Sequence, residues 1–489
     1  MILIKKYFSF IIVVLLFLLQ LPFLKADPDR LADTYSRGAW ADEGLYVSQT
    51  KNLVNHGSFD IKETDGFVKA PLFNIIMIPF FYVFGTSLAV SRSVTLFITL
   101  FVLFFFLKNE KLRVFGIFLT LFALLEFHVF QFSHFGLAEM VSVSFIFSSL
   151  YFFYLSKESA ELHKKIKLLF LSALFIFLCY FNKVSFLYTA GIMPVAVFLS
   201  LLNESWRKRK LIKKDYYIFS WSLIFTLFFL LFYFICWYLP FRDSISYVLT
   251  VQGNALYSPA LKTILADAWY IFLREFWIEI FRINIIHFLI ILICAFVLLI
   301  IKRKKSPCSA LFIFSFVWIL FELHKLPLLY LPYRYIISLI CAAGVFISAM
   351  YFDLFFRLPK LKYFFLFIAI AFGIYNLKFN YDAFNRRTYQ LMTVNKYLAK
   401  YDLKNKPVIG PWASSVCWEN KAITFPVWYN YFNWKDPIKK YRPAIVVTEI
   451  DELDSDFAYK NAGIDLKKAS DSCRVFDVCR YKLVVYWIH

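Results

Sequence analysis

Two adjacent carboxylates stand in the polar stretch Trp40-Ala41-Asp42-Glu43-Gly44-Leu45-Tyr46. A carboxylate held against a hydroxyl or an amine can take its proton. Lys69 follows in Phe67-Val68-Lys69-Ala70-Pro71-Leu72, and Arg92, Glu139, Lys183 and Arg334 recur farther along the chain. A set of cations suits a phosphate, whose charge it offsets. All of these but Arg92 also have an ordinary reading. Asp42 and Glu43 could open a solvated helix, where an acid caps the free amides. Glu139 could do the same. Lys69, Lys183 and Arg334 could reach out to lipid headgroups from the ends of apolar segments.

The elements that must position these residues are apolar. Of the 489 residues, 61% are hydrophobic and 62 are Phe. The mean hydropathy is +0.63. That composition predicts a polytopic membrane protein. About eleven runs have roughly the 17–22 residues needed to cross a bilayer: 7–24, 88–107, 114–130, 139–155, 167–182, 184–202, 216–240, 284–301, 308–323, 333–352 and 363–378. The first is read as a retained span, because Leu24-Lys25-Ala26 is a poor cleavage site. The 71–84 run is short and bounded by Pro71 and Gly85, so it reads as a helix at the surface or dipping in.

The formal charge of +21 is carried by short basic clusters between apolar runs. No basic domain can be separated from the spans, which argues against nucleic acid as a partner. The clusters fit the positive-inside rule instead. With a cytoplasmic N-terminus, every short inner loop is basic: 108–113, 156–166, 203–215, 302–307 and 353–362. Three long pieces then face outward. These are loop 25–87, loop 241–283 with an interfacial helix spaced Trp269/Phe272/Phe276/Trp277, and the tail 379–489. The tail opens with a polar helical stretch, Tyr381 to Tyr401. Strand-like runs follow at 444–448 and 481–486, so it reads as a small α/β domain of about 90 residues. The expected organisation is a membrane domain over 1–378 and an extracytoplasmic domain over 379–489.

The inner span ends carry basic clusters but few acids at membrane depth, whereas Arg92, Glu126, Glu139, Lys183, Arg242, Asp243, Glu322, Lys325 and Arg334 fall at the outward ends. Charge at membrane depth is costly, so one-sided clustering predicts a polar cavity opening outward. His128, His134 and His324 lie at the same ends, beside Glu126 and Glu139. They are candidate ligands for a divalent metal, His128 and His324 in the first place, although no spacing enforces it. No cofactor is otherwise implied. Eight Cys are present, three of them (Cys417, Cys473, Cys479) in the tail, where one disulfide could form in an oxidising compartment.

Taken together, Trp40-x-Asp42-Glu43-x-x-Tyr46, Asn52-Leu53, Gly57, Lys69-Ala-Pro71-Leu72, Phe84-Gly85 and Ser91-Arg92 resemble the first outer loop of the GT-C glycosyltransferases. The nearest branch is the aminoarabinose transferase and protein O-mannosyltransferase-like group. Gly136-Leu137-Ala138-Glu139 resembles its Gly-Arg-x-Asp/Glu motif, with Leu137 in place of the Arg. Asn182-Lys183 is similar to its Thr-Lys, and Pro332-Tyr333-Arg334-Tyr335 to its Arg-Tyr opening a late span. The resemblance covers residues 1–350. It implies a GT-C fold and a polyprenyl or dolichyl phosphate sugar as donor. It also implies inverting transfer, on the extracytoplasmic face, to a lipid, glycan or protein acceptor. Asp42 is then the expected base, with Glu43 sharing and Glu139 assisting. Lys69, Arg334, Lys183 and Arg92 are the expected phosphate-binding cations. Two other readings compete: a transporter or flippase of a lipid-linked sugar, and an oligosaccharide ligase. The absence of an internal repeat and the one-sided acids disfavour transport.

Overall fold

The computed structural model describes residues 2–32, 36–208, 213–252, 309–325, 332–450 and 453–488. Among them, seven helices are long and apolar enough to cross a membrane, or up to eight if a bent pair counts as one span. The protein is thus an integral membrane protein. The eleven spans read from the sequence reduce to this number for identifiable reasons. The 284–301 run and the 269–277 interfacial helix lie outside the described residues. The 7–24 run forms an apolar helix of fewer than 18 residues, and the helix Ser309–Glu322 has 14.

The 114–130 run does not form one straight helix. Arg113–Leu124 and Phe127–His134 meet at 91°. The first piece ends in a π-helical turn, Thr120–Leu124, and Glu126 then caps the second by accepting from the Val129 amide at 2.8 Å. A π-turn followed by a new N-cap is a recognised cause of a sharp kink. At the C-terminal side, the span expected to end at 378 runs on to Asn385, and a separate helix, Gln390–Leu398, follows the break.

The spans pack through aromatic side chains and a few close backbone approaches. At Gly344 an added Cβ would lie 2.8 Å from the Ala123 Cβ, so Gly344 lets the Tyr333–Arg357 helix press against the kink. The short helix Pro71–Phe84 buries Phe73, Met77 and Phe81 and leaves Tyr82, Val83 and Phe84 exposed.

The tail carries a five-stranded mixed sheet. Its strands are β1 (Pro407–Ile409), β2 (Ile423–Phe425), β3 (Ile445–Glu449), β4 (Ser470–Val478) and β5 (Tyr481–Ile488), in the order β2-β1-β3-β5-β4. β1 runs parallel to β2 and β3, while β5 runs antiparallel to β3 and β4. Side chains alternate faces along a strand. Ile445, Val447, Leu483 and Val485 join the apolar core that continues into the helical bundle, whereas Val446, Val484 and Tyr486 belong to a second core on the far face. The near face of the sheet is therefore sealed by the bundle itself. Six described cysteines, including Cys417, Cys473 and Cys479, are free.

Candidate active site

The helix Gly38–His56 carries the Asp-Glu motif and is buried along most of its length. Four neighbours fix it. Gly44 packs on the turn Ala413–Val416, where an added Cβ would stand 2.5 Å from the Ser415 amide nitrogen. Ser415 Oγ donates to the Ala41 carbonyl at 2.8 Å. Lys51 Nζ donates to the carbonyls of Ser414 and Cys417 at 2.8 and 3.1 Å, and burial lowers its pKa to about 8. Asn52 pairs with Thr424 of β2 through both its amide groups. The sheet is thus docked on the helix that bears Asp42.

The adjacent carboxylates of the motif have different surroundings. Glu43 receives Arg92 Nε at 2.8 Å and Nη2 at 2.6 Å, and the Gly136 amide at 2.5 Å. Arg92 spends Nη1 on the carbonyls of Phe23 and Ala26 at 2.7 and 2.6 Å. Both side chains are essentially inaccessible. Gly136 is needed where it stands, because a Cβ there would meet Ser91 Oγ at 2.4 Å. This bidentate pair ties the N-terminal helix, the Leu88–Lys108 span and the 135–137 turn to the motif.

Asp42 faces the other way. Arg334 Nε lies 3.2 Å from its Oδ2, and Arg334 Nη1 donates to Ser36 Oγ at 2.6 Å. Gly38 leaves room for that guanidinium, since a Cβ would sit 1.6 Å from Nη1. Burial raises the proton affinity of Asp42. Arg334 opposes the shift, Glu139 adds to it, and Lys183 and Lys69 oppose it more weakly. A buried carboxylate with an elevated proton affinity is a stronger base when ionised.

Lys183 forms an ion pair with Glu139 and donates to Tyr46 Oη at 2.8 Å. The placement follows from Asn182, whose Nδ2 donates to the Ala138 carbonyl at 2.7 Å and Ser142 Oγ at 2.9 Å. These bonds pin the end of the Leu162–Asn182 span to the start of the Ala138–Glu158 span. Tyr46 lies one turn after Asp42 and shares its face. Lys69 pairs with Asp65 at 2.5 Å, and its ammonium lies 4.9 Å from the centre of the Tyr431 ring. Gln49 holds this segment by donating to the Asp60 and Ile61 carbonyls and accepting from the Phe67 amide. Burial, with Asp65 and Asp42 nearby, keeps the Tyr431 hydroxyl well above its ordinary pKa.

The site so assembled contains Asp42, Arg334, Glu139, Lys183 and Tyr46, with Lys69 and Tyr431 at its side. The fold that carries these residues is similar to a solved one. ArnT from Cupriavidus metallidurans bound to undecaprenyl phosphate aligns with a TM-score of 0.58 at 12% identity, over 98% of this chain and 97% of that one. The chain has the ArnT fold. The apo form of the same ArnT aligns with a TM-score of 0.41 at 11% identity, over 91% of this chain and 93% of that one. The Archaeoglobus fulgidus oligosaccharyltransferase in complex with Zn and sulfate aligns with a TM-score of 0.45 at 13% identity, over 84% and 64%. No family model matches the chain, and no curated protein matches its sequence.

Within the ArnT fold of this chain, the three histidines do not converge. His128 bonds Glu126 at 2.9 Å and stacks on Tyr333. His134 Nδ1 meets Gln20 Oε1 at 3.1 Å, and His324 meets the Phe321 carbonyl at 2.5 Å. Among the described residues, no three His, Cys, Asp or Glu side chains form a metal-binding group. His128 and His324 therefore have separate local partners. Glu322 accepts from Ser338 Oγ at 2.6 Å and Trp318 Nε1 at 3.2 Å and pairs with Lys325. Lys325 donates in turn to the Tyr335 carbonyl at 2.8 Å, bracing the turn that carries Arg334.

Sequence reasoning quoted Tyr46 without giving it a role, although its helical spacing from Asp42 would have supplied one. Ser36, Gly38 and Tyr431 were missed. Only the folded chain brings Tyr431 to Lys69, because no local pattern links the two segments.

Proposed function

We propose that this protein is a membrane glycosyltransferase that moves a sugar from a polyprenyl phosphate donor to a lipid, glycan or protein acceptor. The observation that carries the reading is Asp42, buried and 3.2 Å from Arg334, with Glu139, Lys183 and Lys69 near enough to shift its ionisation. The fold supports it, since the ArnT it resembles was solved with undecaprenyl phosphate bound.

In this reading the acceptor hydroxyl or amine gives its proton to Asp42 as its heteroatom attacks the anomeric carbon. The bond from that carbon to the phosphate oxygen breaks, and the lipid phosphate leaves with the electron pair. A phosphate monoester is already a good leaving group, so the protein need only stabilise its charge. Lys69, Lys183 and Arg334 are the cations assigned to that task. Attack opposite the leaving group inverts the anomeric configuration. Glu139 holds Lys183 in place, and the Glu43–Arg92 pair positions the helix and takes no part in the chemistry. We place the site on the extracytoplasmic face, with residues 1–378 as the membrane domain, residues 379–489 outside and the N-terminus in the cytoplasm. The basic loops argue for that orientation.

The test compares membrane glycolipids and glycoproteins by mass spectrometry in null, wild-type and Asp42→Asn cells. Loss of one hexose, pentose or amino sugar from a glycan, in both null and Asp42→Asn cells, is expected. An unchanged glycan profile with substrate accumulating inside the cell would overturn the reading in favour of transport.

A further inference from the structure

The segment between β2 and the short helix Pro437–Tyr441 is rich in aromatic residues: Trp428, Tyr429, Tyr431, Phe432 and Trp434. It does not pack wholly into the sheet domain. Trp428 lies under the Arg37 guanidinium at 4.7 Å, and Tyr431 under the Lys69 ammonium at 4.9 Å. Arg37 immediately precedes the helix that carries Asp42. The two rings are 6.1 Å apart and inclined at 34°, forming a shallow corner. The loop is held from behind. Asn433 Nδ2 donates to the Pro426 carbonyl at 3.1 Å, Tyr429 packs edge-on against Trp434 and Phe457, and Phe432 packs against Tyr247. Asn430 takes a left-handed conformation, φ 65°, which turns the chain so that Tyr431 faces Lys69.

Resting on the donor reading above, we propose that Tyr431 is the platform on which the donor's sugar ring stacks. If Lys69 turns from the ring to the lipid phosphate, it uncovers the Tyr431 face it now rests on, and the sugar is one ester linkage from that phosphate. A pyranose or furanose has an apolar face of C–H bonds and a rim of hydroxyls. The electron-rich face of a tyrosine meets that apolar face. Asp42 lies close enough to Tyr431 to act on its hydroxyl and can bond the hydroxyl rim. A prenyl chain needs no such polar rim, and a phosphate would be repelled by the ring face. The chemistry of the corner therefore suits a sugar better than either remaining part of the donor. The bundle supplies the phosphate side and the C-terminal sheet supplies the sugar side, so the two halves of one ligand are read by two halves of the chain.

The experiment measures binding to the full chain in nanodiscs, using undecaprenyl phosphate and its glucosyl, mannosyl and arabinosyl esters as probes. Tyr431→Phe keeps the ring and Tyr431→Leu keeps the bulk without it; thermal melting of each confirms folding. Tyr431→Leu is expected to weaken the best-bound sugar ester about tenfold while binding undecaprenyl phosphate as the wild type does, and Tyr431→Phe is expected to match the wild type on both. Equal weakening of all four probes, or none, would overturn the platform. So would a change in acceptor KM with donor binding intact, which would assign the loop to the acceptor. Lys69→Gln separates the two layers, since it should weaken every probe, the sugar-free lipid included. If the wild type binds none of the four lipids, the donor reading falls and the platform with it.

Discussion

Glu43→Gln and Asp42→Asn are neighbouring, near-isosteric changes, and the structure separates their consequences. Glu43 accepts three hydrogen bonds, two from Arg92 and one from Gly136. Glutamine offers one oxygen. If that oxygen serves Arg92 Nε and Gly136, its amide group opposes Arg92 Nη2, donor against donor. If it is flipped, Gly136 and Nε lose their acceptor. Either way Arg92 keeps a charge in a fully buried place without its counter-charge. Breaking a buried pair from one side costs about 3–5 kcal/mol, a large part of the stability of an ordinary protein. Glu43→Gln should therefore reduce folded protein recovered from membranes and lower the melting temperature in detergent by several degrees.

Asp42→Asn should cost less stability and more activity. The folded-state pKa of Asp42 is raised, so the folded state holds that proton more tightly than the unfolded chain does. At neutral pH, ionised Asp42 costs stability, and Asn removes that cost. Against that gain stands the lost counter-charge of Arg334, 3.2 Å away, so its melting temperature should fall less than that of Glu43→Gln, while, on the proposed mechanism, turnover falls by about 10²–10⁴-fold, the usual worth of a positioned base. The paired assay is thermal unfolding followed by transfer to membrane acceptors. A stable Glu43→Gln protein with turnover as low as that of Asp42→Asn would refute the division of labour and make Glu43 a participant in the chemistry.

Four further outcomes follow from the geometry. On the proposed mechanism, in which ionised Asp42 is the base, activity should fall as pH is lowered, and the fall should begin above the range of an ordinary Asp, about 3.9. Arg334→Gln removes the main influence opposing that rise, so the acid limb of the pH profile should move to higher pH; an unmoved limb would detach Arg334 from Asp42. Gly38→Ala should displace the Arg334 guanidinium and cut turnover at least tenfold, on the order of one lost charge-assisted bond, with melting nearly unchanged. Gly44→Ala meets backbone, not a flexible side chain, so limited proteolysis should release the sheet domain from this variant faster than from the wild type.

The parts of the fold carried by long apolar runs were readable, because hydropathy and length suffice for a span such as Ala138–Glu158. What hydropathy could not see was the 91° kink. Its cause is a π-turn and a cap at Glu126, and the Phe-rich run around them looks continuous by composition. In the site, Asp42, Glu139, Lys183, Lys69 and Arg334 were nameable from residue type and place. Their pairings were not, and the pairings separate Glu43 and Arg92 from the rest. Spacing puts Glu43 next to Asp42, yet helical geometry turns adjacent side chains about 100° apart, so one faces the cations of the site and the other a sealed strut. Tyr431 left no trace, since it reaches Lys69 only through the docking of the sheet.

That docking sets the order in which the protein becomes competent during synthesis. The helix bearing Asp42 leaves the ribosome early, whereas its cover comes late: Ser415 and Thr424, then Glu449 against Arg37 at 3.2 Å, then Arg480 on the Ser36 carbonyl at 3.3 Å. Contacts spanning so much of the chain close last. A nascent chain stalled before residue 410 would leave the Asp42 helix without the contacts from Ser415, Thr424, Glu449 and Arg480 that cover it in the finished fold.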